Sequence, residues 1–168
     1  MQNRNFTCCF TGHRIIAAEH RKQLPEVVEA AIRALIAQGY CTFAAGGATG
    51  FDALASETVL ALKEEFFQLR LVIVAPSADQ TNGWNAKDRR QYERLRQAAD
   101  EYICLAAAYT PDCMRRRNRF LVEMSAACLA YCVRERSGSA QTLGFAKDQG
   151  LEIINVLSLM GQASLNKH

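Results

Sequence analysis

Tyr40–Asp52 reads YCTFAAGGATGFD, and the fold follows from how this stretch changes character. Tyr40–Ala45 is a short apolar run of strand type. Gly46-Gly47-Ala48-Thr49-Gly50 is then too small and too flexible to continue it, and from Phe51 to about Phe66 the apolar residues recur at helical spacing. Strand, glycine-rich turn, helix is half of a βαβ unit. The same alternation extends in both directions. Upstream lie a strand at Phe6–Thr11 and an amphipathic helix at His20–Gln38, in which Leu24, Val27, Val28, Ala31 and Leu35 mark one face and Gly39 the stop. Downstream lie strands at Leu71–Ala75, Glu101–Ala106, Cys128–Val133 and Leu151–Val156. Helices at Trp84–Ala98, Arg115–Ala126 and Ala140–Gln149 separate them, and Leu157–His168 reads as a frayed tail. Parallel strands need crossovers of this length, and strands covered on both faces are apolar throughout. The expected fold is one α/β domain over 1–168, with its core at about 6–156. Its sheet is Rossmann-like, doubly wound and mostly parallel, with helices on both faces.

Composition narrows the function. In 168 residues, 49% are apolar and 22% charged, and the net charge is +3. That balance is mildly basic: it accommodates an anionic ligand without marking a dedicated nucleic-acid binder. No apolar run reaches the ~18 residues of a membrane span, and residues 1–14 lack a secretory core. The seven cysteines form no C-x-x-C pair, so no metal site and no cofactor are expected. Cys8, Cys41, Cys104, Cys128 and Cys132 fall in or beside strands, where reduced thiols act as small hydrophobes, which points to a cytoplasmic protein.

In an open parallel sheet, ligands bind beyond the carboxyl ends of the strands. Three small-residue segments lie there: Thr11-Gly12-His13-Arg14, Gly46–Asp52, and Ser137-Gly138-Ser139 running to Thr142. Backbone N–H groups at helix N-termini cradle phosphate, and an arginine such as Arg14 adds a bidentate contact. The candidate ligand-binding residues are therefore Thr11, Gly12, His13, Arg14, Gly46, Gly47, Ala48, Gly50, Asp52, Ser137, Gly138, Ser139 and Thr142. Asp52 is either an acid favoured by the helix dipole, an acceptor for a ribose hydroxyl, or an organiser of its own loop. His13 reads as a loop histidine bonded to backbone more readily than as a catalytic one. The run Met114-Arg115-Arg116-Arg117-Asn118-Arg119 opens a helix, where positive charge opposes the dipole unless anions are nearby. Helical geometry directs Arg117 and Asn118 to one edge and Arg116 to solvent. Glu57, Glu123 and Arg117 are the catalytic candidates, although no nucleophile–base pair is legible.

Taken together, these segments resemble the SLOG superfamily, which includes the core of DNA-processing protein A and the Lonely Guy phosphoribohydrolases. Thr11–Arg14 is similar to a G-S-R turn, Ala45–Ala55 (AGGATGFDALA) to S-G-x-A-x-G-I-D-x-x-A, and Ser137–Ala146 (SGSAQTLGFA) to S-G-S-x-x-T-x-x-x-A. Trp84-Asn85, Tyr92-Glu93 and Arg115–Glu123 (RRRNRFLVE) resemble the small YpsA-like branch. The resemblance spans Phe6 to Val156. It implies a Rossmann-like sheet, a nucleotide-type ligand (ADP-ribose-like ligands included) and a homodimer or larger assembly. Met114-x-x-Arg117-Asn118 is similar to the M-x-x-R-K of the phosphoribohydrolases, but their glutamate falls on Thr142 here. The leading reading is thus a cytoplasmic nucleotide-derivative binder or sensor. The first alternative is a nucleotide N-glycoside or phosphoester hydrolase using Glu57, Glu123 or Asp52 with Arg117. The second is a single-stranded nucleic-acid binder, less favoured because only Trp84, Tyr92, Tyr109 and Phe120 stand near the basic segments as stacking platforms.

Overall fold

The computed structural model describes residues 3–165, and side chains as far as residue 160. Its six strands are β1 (Thr7–Gly12), β2 (Thr42–Ala45), β3 (Arg70–Ala75), β4 (Glu101–Cys104), β5 (Ala127–Tyr131) and β6 (Glu152–Asn155). They form one sheet in the order β4-β3-β2-β1-β5-β6, and every pairing is parallel. The helices are α1 (Leu24–Ala37), α2 (Phe51–Leu62), α3 (Ala86–Ala98), α4 (Cys113–Glu123), α5 (Gly138–Asp148) and α6 (Val156–Leu165).

Alternate strand residues face opposite layers. Cys8, Phe10, Phe43, Leu71, Leu129 and Tyr131 pack with Leu24, Val28, Ile32 and Leu35 of α1 and Phe51, Ala55 and Val59 of α2. Cys9, Ala44, Val72, Val74 and Cys128 face the other way, onto Leu121 and Val122 of α4 and Ala146 of α5. Right-handed crossovers explain the division: the chain winds outward from β1 to β4 on one face and returns through β5 and β6 on the other. Burying residues of Leu, Ile or Phe size contributes about 1.5–3 kcal/mol each, so these two layers hold the molecule together.

Several sequence expectations are corrected. The segment from 157 is not a frayed tail: α6 follows β6 without a loop, and Val156 and Met160 are buried. Asn155 makes that transition possible, because its Oδ1 accepts from Leu157 N–H and its carbonyl accepts from the Ser158 hydroxyl. The part of that expectation covering residues 166–168 lies outside the described residues. The first helix starts at Leu24, with Pro25 in its opening turn, after a 3₁₀ turn at Ala18–His20. Of the five cysteines expected as strand hydrophobes, Cys8 and Cys128 are buried, but Cys41 and Cys132 are half-buried and Cys104 is exposed. Cys104 ends the edge strand β4, and Cys132 lies one residue beyond β5, so neither is covered on both sides.

Candidate functional site

From β1 the chain leaves toward β2, and from the neighbouring β5 it leaves toward β6. These adjacent strands are therefore the topological switch point, and a crevice must open beyond their carboxyl ends. A cleft of about 520 Å³ lies there. Four segments line it: residues 10–15 and Ala17 from β1 onward, Ala48 and Asp52 at the start of α2, one stripe of α4, and Val133, Arg134 and Ser137–Ser139 leading into α5.

The α4 stripe is Met114, Arg117, Asn118 and Leu121, spaced i, i+3, i+4, i+7 along one helix face. Arg117 alone of the arginine run is buried; Arg115, Arg116 and Arg119 are exposed, and Arg119 lies over the Phe145 ring. Arg117 Nη1 donates to the Gly46 carbonyl at 2.5 Å, and its Nε donates to Asn118 Oδ1 at 2.9 Å. Gly46 accommodates this approach because it has no side chain: an added Cβ would fall 2.3 Å from Arg117 Nη1.

Asp52 faces the same loop. Its Oδ2 accepts from the N–H groups of Gly46 (3.0 Å) and Ala48 (3.4 Å), so it organises the β2–α2 turn. Burial pushes the Asp52 carboxyl up, while the Arg117 charge and the two N–H donors pull it back. Burial likewise lowers Arg117, and the Asp52 charge opposes that shift. Each charge is tolerable inside because the other is near.

His13 is 4% exposed, and its Nε2 accepts from Val133 N–H at 2.9 Å. A backbone N–H can only donate, so Nε2 is unprotonated and the ring is neutral. Burial, and then the Arg134 guanidinium beside Nδ1, lower its pKa. Phe51 N–H donates to the His13 carbonyl, and Gly50, at φ 74°, presses against the Arg14 carbonyl, so the β1 and β2 loops form one unit. Ser137 caps α5 by accepting from Ala140 N–H. The Gly138 and Ser139 N–H groups have no partner among the described residues, so this helix end presents free donors to the cleft.

Of the candidate residues, Thr11, Gly12, His13, Arg14, Ala48, Asp52, Arg117, Asn118, Ser137, Gly138 and Ser139 all line the cleft. Gly46, Gly47, Gly50 and Thr142 do not. The first three are occupied by the protein itself, Gly47 packing toward Tyr92 and Gln80, and Thr142 is buried with its hydroxyl donating to Gly138 O. Glu57 lies further down α2, paired with Arg94, and Glu123 is the exposed last residue of α4, roughly 14 Å along the helix from Met114. Neither lines the cleft. Sequence reasoning missed Arg134, Ile15, Met114 and Leu121. Arg134 followed directly on the fifth strand, and Met114 and Leu121 are in helical register with Arg117.

An all-parallel six-stranded sheet with helices on both faces and a cleft at its switch point defines a Rossmann-like α/β protein. The chain belongs to the YpsA family (described as the YspA SLOG family), whose profile matches residues 10–149. It is 29% identical over 126 residues to a UPF0398 protein of Bacillus pumilus, covering 74% of this chain and 63% of that one. Among solved structures it is similar to DNA processing protein A from Streptococcus pneumoniae, with TM-score 0.63 and 16% identity over 89% of this chain and 49% of that one. It is also similar to DNA processing protein A from Helicobacter pylori, with TM-score 0.58 and 13% identity over 98% of this chain and 83% of that one. At these identities the structural likenesses establish the fold. The chain spans less than two thirds of the Bacillus relative and about half of the Streptococcus protein. Among the described residues, no helix is long and apolar enough to cross a membrane, and no three His, Cys, Asp or Glu side chains come together as a metal site.

Proposed function

We propose that the β1/β5 cleft binds the phosphate and ribose of a nucleotide or nucleotide derivative without cleaving it. The observation that carries this reading is the charge inventory of one concave site. Arg14, Arg117 and Arg134 line it against a single carboxylate, Asp52, and the unpaired N–H groups of α5 add the positive end of a helix. Arg14 and Arg134 stand at the mouth, where they supply charge-assisted contacts to phosphate, while Asp52 retains Oδ1 for a ribose hydroxyl. Binding is favoured over hydrolysis because Asp52 is the sole carboxylate lining the cleft among the described residues and is committed to its loop. Most glycosidases use two such groups.

Calorimetric titration with ADP and ADP-ribose tests the proposal, with chromatography of the same samples after incubation. Saturable binding of intact ligand is expected. An Arg134→Ala variant should bind roughly tenfold to a hundredfold more weakly, the loss of one charge-assisted contact. The similar H. pylori protein is described with a single-stranded DNA binding mode. A chain that ignores both nucleotides and binds oligonucleotide through the exposed Arg115 and Arg116 refutes the proposal.

A further inference from the structure

His13 carries a conflict that the protein alone does not resolve. Its ring lies in the wall of the cleft, and a donor stands at each of its nitrogens. Val133 N–H points at Nε2 from 2.9 Å, and Arg134 Nη2 is 3.3 Å from Nδ1. A neutral imidazole has one acceptor nitrogen and one N–H, and a guanidinium has donors only. The two contacts therefore cannot both be hydrogen bonds. The backbone bond is the shorter and takes the lone pair, which leaves the ring proton on Nδ1. There it faces the Arg134 guanidinium, donor against donor.

The ring is not free to turn away. Tyr131 packs edge-on against it, with ring centroids 5.6 Å apart. The Tyr131 hydroxyl is fixed in turn, accepting from Ala17 N–H at 3.2 Å and bonded to His20 Nδ1 at 2.7 Å. Arg134 is held at its backbone, where its carbonyl accepts from Cys132 Sγ at 3.2 Å and Ser137 Oγ at 3.4 Å. Its side chain is exposed and forms no ion pair among the described residues. Two donors of one wall thus converge with no acceptor between them. A buried donor left unpaired is costly, and one negatively charged acceptor relieves both groups at once.

We infer that one phosphate oxygen of the ligand lies between His13 Nδ1 and the Arg134 guanidinium and accepts from both, with His13 acting as a neutral donor. This rests on the nucleotide reading of the cleft and adds the ring's role in it. The arrangement fixes the sign of the pH dependence. A histidine that meets phosphate as a cation strengthens binding in acid. Here a second proton, on Nε2, would face Val133 N–H and set a cation against Arg134, so acid weakens binding. The other charged groups near the ring are Arg14, next in the chain, and Asp52 and Arg117 elsewhere in the cleft wall; His20 reaches it only through Tyr131.

ADP-ribose is the probe, because none of its groups titrates between pH 7.5 and 5. Calorimetric titration of the unaltered protein should show affinity falling by about threefold or more between those values. Nitrogen-15 NMR of the ring at pH 7.5 should place the proton on Nδ1, and that nitrogen should shift when ADP-ribose is added. Two variants divide the ring's bonds: the His13→Asn amide puts an N–H near the place of Nδ1, and the His13→Gln amide puts an acceptor near the place of Nε2. His13→Asn should bind ADP-ribose at least about threefold more tightly than His13→Gln, with urea midpoints checking that both are folded. A histidine that only holds the Val133 loop predicts the reverse order. A smaller or reversed difference between the variants overturns the inference. So do an affinity that stays level or rises in acid, and a ring proton found on Nε2. Should either variant fail to fold, the pH profile and the spectrum of the unaltered protein decide. In all these cases the phosphate cleft stands, whereas an unaltered protein that binds no ADP-ribose at either pH overturns both.

Discussion

Replacing Arg117 with alanine separates a ligand contact from a structural charge, and the structure gives a magnitude. The guanidinium is 4% exposed and donates to the Gly46 carbonyl, while Gly46 N–H and Ala48 N–H donate to Asp52. Removing it leaves a buried carboxylate without its nearby positive charge. Breaking one side of a buried charge pair costs about 3–5 kcal/mol. Asp52 keeps two backbone donors and Gly46 O keeps Gln80 Nε2, so the lower end applies, about 3 kcal/mol. For a chain of this length that is a fall in Tm of roughly 6–12 °C, or a large share of a total stability of about 5–15 kcal/mol. The matching double variant, Arg117→Met with Asp52→Asn, should recover part of the loss, because the stranded charge is gone. Urea denaturation at neutral pH without ligand measures both. If Arg117→Ala matches the unaltered protein within about 0.5 kcal/mol, the buried-pair reasoning is refuted, and Arg117 is then a ligand contact only. Arg116→Ala, at an exposed position, should shift neither stability nor nucleotide affinity by more than about 1 kcal/mol.

Other outcomes follow from the same geometry. His13 has a folded pKa below its ordinary 6.5, so its contribution is whole above that value and is lost as pH falls from 6.5 through the folded pKa. Urea midpoints at pH 7.5 and 5.5 should show this slope, and a His13→Gln variant should lack part of it; identical slopes would contradict the assignment. Gly50→Ala should cost more than about 1 kcal/mol, since φ is 74° and the new Cβ would meet the Arg14 carbonyl at 2.2 Å. Wild-type-like stability of that variant would show that the loop moves freely. Native thiol labelling should be fast at Cys104 and slower at Cys41 and Cys132. It should be absent at Cys8, Cys9, Cys113 and Cys128, which are buried, with burial leading the upward shift of the Cys8 thiol; labelling of those four in the folded state would contradict the packing.

The order of strands and helices was readable because apolar runs such as Leu71–Ala75 are short and the α1 face recurs at helical spacing. Helix α6 was not, because the strand passes into it with no glycine, proline or loop to mark the change. In the site, the three loops beyond the strands and the inward edge of α4 could be found by local pattern. What could not be found was which glycines the protein uses for itself. Gly46 is small to admit Arg117, 71 positions away, and Gly50 to admit the Arg14 backbone. Such contacts exist only once the sheet is assembled. Glu57 and Glu123 failed to join the site for a related reason: each helix starts at the cleft and runs away from it, so residues late in the helix lie too deep. Arg134 carries no local mark of its place: a single arginine after a strand has the pattern of a solvated loop residue, and only the folded chain sets it beside His13 in the cleft.

Residue-resolved NMR titration with ADP tests the central claim most directly, because it locates the ligand without altering the protein. Binding at the switch point predicts that the backbone amides of Gly12–Arg14, Val133 and Ser137–Ser139 shift first and together, saturating in step. Shifts confined to the outer face of α4 around Arg115 and Arg116, or no shift at all, would contradict it.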